Sequence, residues 1–227
     1  MRLPIMLKQI RKIKPTRRSV SGVYMFRGEE PIEFESTLER DFIIRQEFNL
    51  HVAQIIPQPT QIEFVKNGRT YPYTPDFLVY FKLGDAHYEF YPKPILVEVK
   101  HRAELKKNWS VWRDKFKAAF HYAKEQGYQF RFYDEYRIRN QVLDNIRFLD
   151  RYKQMQFPVE ESRAVLETVA SMGCTPYHYL LASHFMGIYK AEGIAHIWHL
   201  LATRKLDCDM TLPLSNFTEL WIPNYDR

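Results

Sequence analysis

The chain has 227 residues, of which 45% are apolar and 26% charged, a balance ordinary for a soluble globular protein of one large domain or two small ones. The formal charge is +6 and the isoelectric point about 9.2, which suits a polyanionic partner without identifying one. No apolar run approaches the ~20 residues of a membrane span. The two cysteines, Cys174 and Cys208, have no metal-ligand spacing, so a membrane protein and a disulfide scaffold are excluded and a reducing, cytoplasmic setting is expected.

Residues 1–30 read as a basic arm carrying Arg11, Lys12, Lys14, Arg17 and Arg18. Such an arm is either a solvated tail or a phosphate-contacting segment that orders on DNA. It lacks the apolar core and small-residue cleavage site of a secretory signal. ESTLERDFIIRQEF then predicts a helix, with Ser36 as N-cap, Glu39 at the third position in a capping-box pattern, and Leu38, Phe42 and Ile43 on one face. QIEFV and the stretch from Tyr71 to Lys82 read as strands joined by an Asn67-Gly68 turn, and Gly84-Asp85 marks a turn before a strand from Ile95 to Lys100. From Glu104 to Gln126 the period becomes helical, with Leu105, Trp109, Trp112, Phe116, Phe120 and Ala123 as an apolar stripe that reads as core rather than as a base-stacking platform. Gly127 ends that helix, YQFRFY follows as a strand, and Val142 to Tyr152 as a helix. The order predicts an α/β domain with a mixed sheet over residues 31–155. Residues 156–227 give three helices followed by short strands, a winged-helix pattern. Four histidines, His178, His184, His196 and His199, fall on the C-terminal helices without a zinc-ligand motif.

The chemistry concentrates in TPDFLVYF and PILVEVK. Asp76 precedes one apolar run and Glu98 sits inside the next. If the two strands pair antiparallel, the carboxylates meet. Glu98 and Lys100 differ by two and share a strand face. Two carboxylates and an ammonium match the needs of a Mg²⁺-dependent phosphodiesterase (Mn²⁺ being an alternative metal): the acids hold the metal, and the lysine orients or deprotonates a water. The bland alternative is a salt bridge at a strand edge. His101 would point to the opposite face, a DNA-facing or surface residue rather than a ligand.

Together TPDF and VEVK resemble the PD-(D/E)xK nuclease superfamily, which implies a restriction-endonuclease-like fold and a further acid from the first helix. Glu35, Glu39 and Glu47 are placed to supply it, and Glu39 could equally be only a cap. The run ESTLERDF, the PD and VEVK strands, the long helix and the C-terminal winged-helix pattern more narrowly resemble the TnsA family, the endonuclease subunits of heteromeric cut-and-paste transposons, including CRISPR-associated ones. The resemblance implies Glu39 and Asp76 as metal ligands, the Val99 carbonyl as a further ligand and Lys100 as the catalytic lysine. The family admits Gln where this chain has Glu98, which leaves that residue's ligand role open. It also implies cleavage of the 5′ strand at transposon ends, with a DDE transposase, TnsB, cutting the 3′ strand, and a C-terminal domain that contacts an AAA+ ATPase, TnsC. A stand-alone restriction-type or junction-resolving nuclease, and a winged-helix DNA-binding protein with a decayed nuclease domain, are the alternatives.

Overall fold

The computed structural model describes residues 9–10, 20–83, 87–186 and 190–224. The chain divides into two compact units, Met1–Ile138 and Arg139–Arg227. The first opens on a hairpin of β1 (Gly22–Phe26) and β2 (Glu30–Phe34), paired antiparallel. That hairpin occupies the end of what reads in sequence as a basic arm. Its turn puts Arg27 at φ 54° and Gly28 at φ 76°, and an arginine in the left-handed region is not a turn signal.

Helix α1 (Thr37–Phe48) buries Leu38, Phe42 and Ile43. Strand β3 (Val52–Pro57) follows, then β4 (Ile62–Lys66) and β5 (Arg69–Tyr73) as a hairpin on the Asn67-Gly68 turn. Both turn residues have positive φ, 51° and 71°, as a tight two-residue turn requires. The main sheet combines β3 with β6 (Phe77–Phe81), β7 (Ile95–Val99) and β8 (Gln129–Tyr133), in the order β3-β6-β7-β8. Its first two pairings are antiparallel and its last parallel, so the sheet is mixed.

The stretch 71–82 is not one strand: it breaks at Thr74-Pro75, and β5 and β6 join different sheets. Pro75 removes a ladder donor and fixes φ, so the chain leaves one sheet for the other there. Strand β3 carries little strand signal in the sequence, because VAQIIP lacks alternation and ends on Pro57, which an edge strand tolerates.

Helix α2 (Arg102–Glu125) crosses the sheet and buries Phe116, Ala119 and Ala123 among Ile56, Ile62, Tyr73, Leu78 and Leu96. Its aromatic stripe is only partly core: Trp109 is 49% exposed and Phe120 58%. The reason is length, because a helix of 24 residues spans about 36 Å and strands of five residues only about 17 Å. A short helix, α3 (Glu135–Ile138), closes the unit.

The second unit contains α4 (Gln141–Lys153), α5 (Val159–Met172), α6 (Tyr177–His184) and α7 (Lys190–Ala202). Strand β9 (Thr175–Pro176) pairs antiparallel with β10 (Glu219–Leu220), extended by a bridge between Asp207 and Trp221. The sequence reading puts α4 in the first domain, with a boundary near residue 155. Instead α4 packs on α7: Phe148 meets the Trp198 ring edge-on at 5.6 Å, and the Asn145 amide donates to the Met210 and Leu212 carbonyls. Helical periodicity identifies an apolar face but not the core that receives it.

A buried histidine makes this unit acid-sensitive. His196 is fully buried and stacked on Phe157 at 4.3 Å, with Nε2 2.8 Å from Ser162 Oγ. Its Nδ1 is 3.6 Å from Glu161 Oε2, beyond hydrogen-bond reach. Burial above all pushes its pKa down to about 4. The unfolded chain takes up this proton near the ordinary value of ~6.5, the native one only near 4, so stability is full above pH 6.5 and falls by about 3 kcal/mol as the pH drops through that window. Chemical denaturation of wild type and His196→Leu between pH 7.5 and 4.5 checks this; the variant's profile is expected to be the flatter by that amount.

Candidate active site

Strand register brings the candidate acids together. Phe77 is the partner of Val97 across β6 and β7, so Asp76 and Glu98 flank that pair on adjoining strands. The Asp76 N–H donates to the Val97 carbonyl at 3.0 Å, and the Val99 N–H donates to Asp76 Oδ2 at 2.7 Å. These bonds fix the Asp76 carboxylate against the backbone of residue 99. Beyond the strand end, the Lys100 N–H reaches the Tyr133 carbonyl at 3.1 Å and prolongs the parallel pairing with β8. Lys100 Nζ then sits 3.8 Å from Asp76 Oδ2 and 4.0 Å from Glu98 Oε1.

Glu98 is 1% exposed, and both of its oxygens are engaged. Tyr73 OH donates to Oε2 at 2.6 Å, and Lys115 Nζ stands 3.3 Å from Oε1. Burial first, and then the Asp76 charge, push the Glu98 pKa up to about 7, against the pull of Lys100, Lys115 and Tyr73. Burial, with Glu98 and Asp76 adding to it, drives the Tyr73 phenol well above its ordinary value, so it remains a donor. Burial works to lower the Lys100 pKa, but Asp76, Glu98 and Glu39 outweigh it and hold the ammonium above its usual range.

Glu39 both caps α1 and belongs electrostatically to this cluster. Its carboxylate accepts from the Glu35 N–H at 2.7 Å and the Ser36 hydroxyl at 3.0 Å, while its own N–H donates to Ser36 Oγ at 3.1 Å. It is 5% exposed. Burial and then the Asp76 charge raise its pKa to about 7. Because the folded value is raised, ionising Glu39 opposes folding as the pH climbs from ~4.5 to 7. Glu39→Gln keeps a capping acceptor and loses the charge. In EDTA at pH 8 it is therefore expected to melt no lower than wild type, whereas loss of the cap would lower stability by about 0.5–2 kcal/mol. Thermal melts at pH 5 and pH 8 separate the outcomes.

Among the described residues, no three His, Cys, Asp or Glu side chains converge closely enough to hold a metal by themselves. Asp76 and Glu98 are the two carboxylates that strand register brings together beside Lys100. Two carboxylates of hard oxygen fit Mg²⁺, which ordinarily takes one or two carboxylates and completes its shell with water and substrate phosphate.

Nothing in the sequence points to Tyr73 or Lys115 as partners of Glu98. Lys115 lies in a box of three rings, 4.7 Å from Tyr73, 4.8 Å from Trp112 and 4.7 Å from Phe116. Its signal in sequence is a lysine interrupting the aromatic run of α2. His101 is the N-cap of α2, an exposed residue with Nδ1 3.4 Å from Glu135 Oε2, and the strand stops before reaching it. Arg11, Lys12, Lys14, Arg17 and Arg18 lie outside the described residues.

The site opens into a cavity of about 600 Å³ between the β4–β5 hairpin and α2. Two family models match the chain: TnsA-like endonuclease N terminal over residues 49–135, and TnsA endonuclease C terminal over residues 137–210. The first match contains Asp76, Glu98 and Lys100 and begins after Glu39; the division between the two matches falls where the compact units divide. No curated protein matches the chain.

Proposed function

We propose, from the premise that this chain belongs to the TnsA endonuclease family, that it is a Mg²⁺-dependent DNA endonuclease that cuts the 5′ strand at transposon ends, beside a DDE transposase of the TnsB type. The observation that carries the reading is the Asp76, Glu98 and Lys100 cluster on the lining of the cavity. Asp76 and Glu98 would hold the metal, with the Val99 carbonyl beside them and Glu39 as a further charge. Mn²⁺ suits the same oxygens. The metal would polarise the scissile phosphate and lower the pKa of a bound water.

The protein's own groups do the rest. Lys100 keeps its proton at neutral pH, so it orients the attacking water and offsets phosphate charge. Tyr73 and Lys115 hold Glu98 in one orientation, and the Val99 N–H does the same for Asp76. On α2, Lys106, Arg113 and Lys117 are exposed at spacings of seven and four, hence on one helix face, and provide phosphate contacts. With the basic arm and His101 they make the first unit the main DNA-binding half.

The second unit is read as a winged helix: α5, α6 and α7 carry a β9–β10 ribbon with the Asp207–Trp221 bridge. The described middle of α7, GIAHIWHLLA, has no Arg, Asn or Gln to read base edges. The unit is accordingly assigned to protein contact with a TnsC-type AAA+ ATPase.

The test is a strand-specific cleavage assay on transposon-end DNA with Mg²⁺ or Mn²⁺, with and without the transposase. Metal-dependent 5′-strand cuts at the element ends are expected. Cutting of unrelated duplexes at equal rates, with no response to the transposase, would return the protein to the stand-alone nucleases.

A further inference from the structure

The cavity has a second wall that the acids and Lys100 do not explain. Phe64 and Tyr71 are cross-strand partners on the β4–β5 hairpin, with ring centroids 5.8 Å apart. They line the cavity together with Trp112 of α2, Lys66 and Lys115. Tyr71 is 41% exposed, so part of it is open to solvent. Lys66 Nζ donates to the Val111 carbonyl at 2.9 Å and ties the hairpin tip to the helix; the ammonium's other two protons can meet an anion.

Aromatic rings interleaved with ammonium groups, here with the Asn67 amide beside them, are the chemistry that holds unpaired nucleic acid. Rings stack on any base, and lysines follow the phosphates. The volume, about 600 Å³, is in the ~300–1,000 Å³ range of sites that take a small organic group.

We infer that the groove between the β4–β5 hairpin and α2 binds unpaired nucleotides of the DNA strand next to the scissile phosphate, with a base stacked on Tyr71 and a flanking phosphate on Lys66. The inference depends on the nuclease reading only for what lies at its inner end. It implies that the strand is locally unpaired when it reaches Asp76 and Lys100.

The experiment uses the full chain in EDTA, with a short fluorescent oligothymidylate and a blunt duplex as separate probes read by anisotropy. Tyr71→Ala is expected to weaken oligothymidylate binding about tenfold, the worth of one stacked base, and to leave duplex binding within about twofold. Tyr71→Phe restores the single-strand affinity, because only the ring face is used. Lys66→Gln lowers the salt slope of single-strand binding by about 0.7, one phosphate contact. Equal binding of oligothymidylate by wild type and Tyr71→Ala overturns the inference, as does an equal loss on both probes. A protein that binds the single strand through Tyr71 but cleaves no DNA upholds the groove and defeats the nuclease reading. One that cleaves while indifferent to Tyr71 does the reverse.

Discussion

Asp76→Asn is expected to reduce strand cleavage on the order of 10³-fold while the protein keeps its fold. The substitution is nearly isosteric and leaves an oxygen to accept from the Val99 N–H, which holds the native carboxylate at 2.7 Å. What goes is one negative charge. Asp76 raises the pKa of both Glu39 and Glu98, so its neutralisation lets those buried acids ionise more easily. It also takes a counter-charge from Lys100, 3.8 Å away. These effects oppose one another, and the melting temperature in EDTA should move little. Catalysis has no such compensation, because Asn donates no anionic oxygen to a hard cation. Strand-specific cleavage beside a thermal melt reads both halves; a folded Asp76→Asn protein that cuts at the wild-type rate removes Asp76 from the site.

For Lys100→Met the expected loss is about 10²–10³-fold in cleavage, with Mg²⁺ affinity held or increased. An ammonium has no lone pair to give a metal, and removing its charge leaves the acids more attractive to a cation. Glu98 remains anchored, since Lys115 at 3.3 Å and Tyr73 at 2.6 Å hold it independently. Titration calorimetry with Mg²⁺ distinguishes the roles: Asp76→Asn weakens binding and Lys100→Met does not. Weakening of equal size in both variants would mean that Lys100 organises the acids rather than acts on the water.

Both variants act on residues that are close together for local reasons, and this is why so much of the site is legible in the chain. Asp76 abuts β6 and Glu98 lies within β7, its antiparallel neighbour, and Glu98 and Lys100 obey the period of two. Their proximity is set by strand register, and register follows from the apolar pattern of FLVYF and PILVEV. The cap of α1 is equally local: Ser36 and Glu39 are three residues apart and find each other within one turn. The mixed sheet and the two-unit chain follow from the order of strand-like and helix-like segments.

Tertiary structure decided the rest. Lys115 reaches Glu98 only because α2 packs across the sheet, and Tyr73 only because Pro75 sends β5 and β6 into different sheets. Neither choice leaves a mark in a window of ten residues. The aromatic stripe of α2 looked uniform, yet the sheet beneath covers only its middle, so Trp109 and Phe120 stay exposed while Phe116 is buried. Helix α4 carries an apolar face that would suit either core, and its contacts with α7 assign it to the second unit. Periodicity records which face of an element avoids water; long-range packing chooses the surface it meets, and that choice put a second lysine and a tyrosine on Glu98.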